Sequence, residues 1–222
     1  MENKALPITN SVFRNRNFML LLIGQLVSNL GNAIHSVSVV WYILNMVGEG
    51  KSGIFIASFT MCTLVPAIIF GPISGVYVDK LDRKKIIWGT DLIRGSLILV
   101  LGILTYYKVF PLTALFVITA LSSFFGTFFN PAVDSSIPNI VDEKNLMTAN
   151  SVNGMSRQLV FIFGAAIAGF LYYSIGIVGI FIVNGISFIL SGISEMFIKL
   201  PSNKTDSESV KKIDFWSDLN RF

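Results

Sequence analysis

The chain has 222 residues, of which 53% are hydrophobic and 14% are charged; soluble domains have about 25% charged residues. It contains one His and one Cys, which cannot form an intrachain disulfide or a zinc site of several such ligands. No phosphate-loop or nucleophile constellation occurs either, so we expect no enzyme, no cofactor and no metal. The net charge of +4 is interpreted as the basic bias of a membrane protein, with no nucleic-acid partner.

Uncharged blocks long enough to cross a bilayer recur along the chain. The longest, 158–194, has 37 residues, or about 56 Å as one helix. Because the hydrocarbon core is about 30 Å thick, this block must turn back, and Gly176 is the expected turn. We expect loops several residues long, and Pro138 to end the fourth helix. The sequence therefore predicts an all-α, polytopic membrane protein with six transmembrane helices, at 18–45, 53–78, 86–107, 112–136, 149–174 and 177–198.

The distribution of Lys and Arg predicts the orientation of these spans. The segments before the first span and after the second, fourth and sixth spans carry fourteen basic residues, whereas the alternate loops carry two, Lys51 and Lys108. Cytoplasmic loops carry the excess of basic residues, so we expect a multi-pass protein of the cell membrane with both termini cytoplasmic. Residues 1–17 would be the cytoplasmic N-terminus, 18–198 the six-helix bundle, and 199–222 a cytoplasmic linker with an amphipathic segment.

A charged loop follows the second span. It resembles the loop between helices two and three of major facilitator superfamily transporters, whose pattern is Gly-x-x-x-Asp-Arg/Lys-x-Gly-Arg-Arg/Lys. Asp82 stands where the pattern has its second Gly, a variant similar to the macrolide-efflux branch of that superfamily. The matching residues are Gly75, Asp79, Lys80, Arg83 and Lys84.

The resemblance covers nearly the whole chain. Further similarity lies in 14–18 at the start of the first helix, in the pair Asp91 and Arg94, and in 130–151. It implies the N-terminal half of a major facilitator fold, and secondary transport that exports lipophilic or amphipathic compounds such as macrolide-like drugs. The expected partners are the lipid bilayer, that small substrate, and either a second copy or a missing C-terminal half. The alternative is a truncated, transport-incompetent half-transporter that acts at most as an interaction partner.

Polar residues form a stripe along the first predicted helix, and a similar stripe occurs on the fourth. Residues at steps of three and four share a helix face, and polar groups facing lipid are costly, so both stripes should face inward. They are either packing contacts between helices or the wall of a substrate cavity, and the resemblance favours the cavity. His35 could carry a proton or be a neutral hydrogen-bonded residue. The cavity candidates are Gln25, Ser28, Asn29, Asn32, His35, Ser36, Ser122, Ser123 and Gly126.

Charged residues near the cytoplasmic side form a candidate gating network. Asp91 and Arg94 are three apart on a helix and can pair, either as an interfacial pair or as part of a latch that closes the cytoplasmic side. Asp134 could join that latch from the fourth helix. Glu195 and Lys199 are expected to pair at the end of the sixth helix. The network candidates are Gly75, Asp79, Lys80, Arg83, Lys84, Asp91, Arg94 and Arg157.

Two glycines, Gly164 and Gly169, are candidates for close helix packing in the fifth span, because small residues let membrane helices approach each other. They lie where many drug antiporters have a Gly-Pro-x-x-Gly-Gly motif. Here the Pro and one Gly are both Ala, so the similarity to antiporters is weaker at this position.

Overall fold

The computed structural model describes residues 12–109 and 111–200. The first eleven residues and the predicted amphipathic segment lie outside this part of the chain. The described residues are all-α, as predicted, and contain no strand. The helices are α1 (Arg16–Val47), α2 (Glu49–Lys80), α3 (Arg83–Tyr106), α4 (Pro111–Ile140) and α5 (Leu146–Met196), with a 3₁₀ turn at Glu143–Asn145.

Five helices, not the expected six, are long and apolar enough to cross a membrane in the described residues. The last two predicted spans both lie in α5, which is interrupted only at Gly176, with φ 66° and ψ 177°. Positive φ is readily available to glycine. Ala149 and Ile198 belong to one apolar cluster, so the chain must fold back at this glycine. We call 146–175 the N-terminal arm of α5 and 177–196 its C-terminal arm.

Two other expectations about helix ends are wrong. A single residue, Gly48 with φ 80°, separates α1 from α2, and its N–H donates to Leu44 O at 3.0 Å. Glycine therefore replaces the expected loop at this junction. Pro138 does not end α4, which continues to Ile140, because a proline near the last turn removes few of the hydrogen bonds that hold a helix.

Asn15 fixes the start of α1. Its Oδ1 accepts from the N–H groups of Asn17 at 3.0 Å and Phe18 at 3.2 Å, which satisfies two donors at the helix N-terminus. Its Nδ2 donates to Ile140 O at 2.7 Å. The same side chain therefore ties the beginning of α1 to the end of α4.

The C-terminal arm of α5 is packed between α1 and α3 through small residues. A Cβ at Gly95 of α3 would lie 2.8 Å from Gly185 O, so these two backbones are nearly in contact. Gly192 faces Trp88 and Leu92 in the same way, and on the other side Gly31 of α1 faces Asn184 and Ser187. Membrane helices associate through this kind of close packing, so glycine positions determine where the arm lies.

The helix α2 is the least buried of the five. Its main packing partner is α4, and almost none of its apolar stretch is buried inside the bundle. Ile54 and Ile68, for example, are 75% and 71% exposed. This apolar surface is suited to lipid or to further helices.

The two glycines predicted to allow close packing have different surroundings, which gives a matched test. A Cβ at Gly164 would lie 2.6 Å from Ala33 Cβ, whereas a Cβ at Gly169 would have no neighbour within 4 Å. We expect Gly164→Val to destabilise the bundle by about 1–3 kcal/mol through overpacking and Gly169→Val to be near neutral. The measurement is thermal unfolding of both variants in detergent; equal melting temperatures would contradict the packing described.

Candidate functional site

A polar pocket lies between α1, α2, α3 and α4; we call it the central pocket. It encloses about 90 Å³. Arg94, which borders it, lies eleven residues into α3, or about 16 Å along the helix axis, about half the thickness of a hydrocarbon core. The pocket is lined by Asn32, His35, Ser36, Phe59, Thr63, Arg94, Ile98, Thr119, Ser122 and Ser123.

Five of the nine cavity candidates line this pocket, namely Asn32, His35, Ser36, Ser122 and Ser123. Gln25 and Ser28 are instead buried, and Ser28 Oγ donates to Gly24 O within its own helix at 3.2 Å. Asn29 is half-buried. Gly126 lies against Arg94, with its Cβ position 3.3 Å from the guanidinium Cζ.

Arg94 is one of the residues that line the central pocket. Its guanidinium lies over the ring of Phe188, 4.2 Å from the centroid, a cation–π contact. Its Nη1 is 3.7 Å from Asp91 Oδ1. The sequence predicted the pairing with Asp91, but the contact with Phe188 on a distant helix had no sequence signal.

Two acids are buried behind Arg94. Asp91 is fully buried and Glu195 is 1% exposed, and both are close enough to interact electrostatically with Arg94. Ser191 Oγ donates to Glu195 Oε1 at 3.3 Å. The expected pair of Glu195 and Lys199 is therefore wrong, because Glu195 faces the bundle interior.

The sequence contained a signal for this inward face. Polar residues recur at steps of three and four along the C-terminal arm of α5, in the same pattern that marked α1. Together they form a third polar stripe facing α1 and α3. These residues are Asn184, Ser187, Ser191 and Glu195.

His35 is held by one member of that stripe. Its Nδ1 is 2.7 Å from Asn184 Nδ2, and its ring meets Phe181 edge to face with centroids 5.2 Å apart. The residue is 5% exposed, and Nε2 has no hydrogen-bond partner among the described residues. One ring nitrogen is thus held by Asn184, and the other is buried without a partner among the described residues.

The other network candidates and Asp134 form two ion pairs. Arg83 pairs with Asp79 at 3.2 Å and donates through Nη1 to Ser135 O at 3.0 Å, which joins the loop after α2 to α4. Arg157 pairs with Asp134 at 2.9 Å, which joins α5 to α4.

The remaining candidates of the network lie in α2 and α3. Gly75 lies in α2 with no neighbour within 4 Å of its Cβ position. Lys80 ends α2 and Lys84 is in the first turn of α3. Asp91 and Arg94 belong to the buried cluster with Glu195, further along α3, so they are separate from the candidates around the junction of α2 and α3.

Comparison with known proteins identifies the family. Residues 21–220 match the sequence model of the Major Facilitator Superfamily. The chain belongs to this superfamily. With its long apolar helices, this makes it a multi-pass membrane protein. No solved structure matches the chain.

Several curated relatives are transporters or exporters by name. An uncharacterized MFS-type transporter of Bacillus subtilis, YkuC, is 30% identical over 190 residues, which is 86% of this chain and 43% of the relative. Macrolide efflux protein A of Streptococcus pyogenes is 26% identical over 184 residues, 83% of this chain and 45% of that protein. The putative bacilysin exporter BacE of Bacillus subtilis is 35% identical over 148 residues, 65% of this chain and 36% of that protein. The chain spans less than half the length of these relatives.

The contact between His35 and Asn184 is expected to stabilise the bundle. Polar contacts between membrane helices contribute about 0.6 kcal/mol on average and up to about 1.7 kcal/mol. We expect a double-mutant cycle of His35→Phe and Asn184→Leu, read from unfolding in mixed micelles, to give a coupling energy in this range. The pair Asn32→Leu with Asn184→Leu is the control. Additive effects for His35 and Asn184 would contradict the contact.

Proposed function

We propose that this chain forms one wall of a secondary transporter that exports lipophilic or amphipathic compounds such as macrolide-like drugs. The observation that carries the proposal is the central pocket, which is polar, is built from four helices and lies near the middle of the bundle. Ligand sites in transporters lie near the bilayer midplane. The names of the relatives, a macrolide efflux protein and a putative exporter, support export as the direction.

The size of the pocket indicates that a second wall is required. Pockets that hold drug-sized ligands measure about 300–1,000 Å³, whereas this one encloses about 90 Å³. A second set of helices facing the pocket would enlarge the site, and transporters of this kind move by rocking one helical repeat against another. We propose that this set comes from a second copy of the chain or from a C-terminal half. A chain without either would be the transport-incompetent half considered from the sequence.

The proposed topology has six crossings. The two arms of α5 fold back at Gly176, so each can cross the membrane separately although they form one helical element. With the basic residues on the cytoplasmic side, both termini would then be in the cytoplasm of a cell-membrane protein.

The two cytoplasmic ion pairs are proposed to gate the cytoplasmic side. Arg83 holds both Asp79 and the end of α4, and Arg157 holds α5 to α4. Asp79 is 69% exposed in its side chain, and exposed pairs contribute little to stability. Their expected effect is therefore on the conformational equilibrium and not on folding.

Export is tested by erythromycin accumulation in a drug-sensitive host that expresses the full chain, with its oligomeric state read from native gels. We expect lower accumulation only where the chain is dimeric or is co-expressed with a C-terminal half. In that setting Asp79→Asn should reduce export several-fold at unchanged membrane abundance, because Arg83 loses its partner. Asp142→Asn, which removes another exposed loop acid, is the control.

Three outcomes would contradict these proposals. Export by a strictly monomeric chain would remove the need for a second wall. Unchanged accumulation of erythromycin by a dimer and by the co-expressed halves would refute export of this drug class. Full activity of Asp79→Asn would refute the gate.

The topology is tested by labelling single cysteines from outside the cell in a Cys62→Ala background. We expect Gly50→Cys and Val109→Cys to react with a membrane-impermeant maleimide, because both lie at the poorly basic ends of the helices. Asp82→Cys and Lys144→Cys should react only after the cells are permeabilised. Reaction of Lys144→Cys in intact cells would overturn the orientation.

A further inference from the structure

The central pocket contains polar atoms that the described residues leave without hydrogen-bond partners. They are Arg94 Nε, His35 Nε2 and Thr119 Oγ1, and all three residues line the pocket. His35 and Thr119 are 5% and 7% exposed. Buried polar groups in folded proteins are nearly always paired, so three such atoms at one pocket indicate a binding site.

The environment of His35 determines what its free nitrogen offers. Asn184 Nδ2 lies 2.7 Å from His35 Nδ1. Asn184 Oδ1 accepts from Ser187 Oγ at 3.4 Å, so the amide nitrogen faces His35 and donates to Nδ1, and in a neutral ring the proton is then on Nε2. The Nε2–H of His35 is therefore a donor without a partner among the described residues.

Arg94 offers several more donors. Its ring contact with Phe188 holds the plane of the guanidinium, and its 3.7 Å distance to Asp91 is longer than a hydrogen bond. A guanidinium has five N–H groups in a fork that matches the two oxygens of a carboxylate. Gly126 packs against the same group, and a Cβ there would lie 3.3 Å from the guanidinium Cζ, so the missing side chain lets α4 approach Arg94 closely.

The formal charge on the lining of the pocket is positive. Of the residues that line the pocket, Arg94 alone carries a formal charge. Asp91 from α3 and Glu195 from α5 face Arg94 from behind and are buried away from the pocket. Their two formal negative charges exceed the single positive charge of Arg94, so they should weaken anion binding, and the affinity for an anion depends on direct contact with the Arg94 and His35 donors.

We propose that the central pocket binds a carboxylate, held by the Arg94 guanidinium and the His35 Nε2–H. This inference rests on the proposed function only in identifying the ligand with the exported compound. The exported compounds that use this site would then be amphipathic acids or zwitterions.

The single histidine of the chain permits a direct test. The full chain, purified through a tag without histidine and placed in lipid nanodiscs, is labelled with ¹⁵N-histidine and titrated with benzoate or its neutral analogue benzamide. We expect a saturable shift of the His35 Nε2 resonance with benzoate and at least tenfold weaker binding of benzamide. Equal binding of the two probes would overturn the carboxylate site.

Three variants assign the site to its residues. Arg94→Gln should weaken benzoate binding at least tenfold, whereas Lys51→Gln, which removes an exposed base outside the pocket, should leave it unchanged. Glu195→Gln should tighten benzoate binding several-fold, because it removes a negative charge beside Arg94. Unaltered binding in Arg94→Gln, or weaker binding in Glu195→Gln, would overturn the proposal. If Arg94→Gln does not fold, Arg94→Lys, which keeps the charge but not the fork, should still reduce the preference for benzoate.

Failure of this inference can be separated from failure of the proposed transport. Export of a drug without benzoate binding would overturn the carboxylate site and leave the transport function intact. Benzoate binding that requires Arg94, in a protein that exports neither erythromycin nor an amphipathic acid, would support the site and contradict the transport function.

Discussion

The close packing of the C-terminal arm of α5 between α1 and α3 is the constraint on which the rest of the structure depends. Near-contact of backbones at Gly95 and Gly185, and the small residues facing Gly31, place this arm in the middle of the bundle. Without a hydrophobic driving force between helices in lipid, such packing and interhelical hydrogen bonds hold membrane helices together. The arm then carries Asn184 to His35 and Phe188 to Arg94. The pocket is therefore organised by a helix that contributes no residue to its lining.

The buried charges beside the pocket are the most demanding part of this arrangement. Asp91, Arg94 and Glu195 are removed from water together, and burial of a charge is costly unless it is paired. Charged groups inside membrane segments usually mark sites of function. Asp91 and Glu195 are buried between the helices, whereas Arg94 lines the pocket. Stability alone does not explain three buried ionisable groups, because apolar side chains in their place would often be as stable or more stable.

The sequence was sufficient to predict the helical class and the inward face of α1. Long uncharged blocks and polar steps of three and four depend on local periodicity, and they correctly placed Asn32, His35 and Ser36 on one wall. The difference between Gly164 and Gly169, by contrast, depends on which one faces Ala33. Arg94 was predicted to belong to the gating network because the sequence shows how few residues separate it from the charged loop. The sequence does not show its contact with Phe188, nearly a hundred residues away. Glu195 was misassigned for a different reason: a base four residues later suggested a surface pair, although the polar steps before it indicated an inward face.

The weak burial of α2 has a consequence for how the lipid environment acts on the protein. The uncharged stretch of this helix, 53–78, has 26 residues, or about 39 Å, and is longer than the hydrocarbon core of common cellular membranes, about 27–33 Å. A helix in such hydrophobic mismatch tilts, and more so in a thinner bilayer. The helix α2 has few packed neighbours to resist tilting, and its Phe59 and Thr63 line the pocket. We therefore expect bilayer thickness to affect the width of the pocket. Lipid composition would thus act on this protein as an allosteric effector.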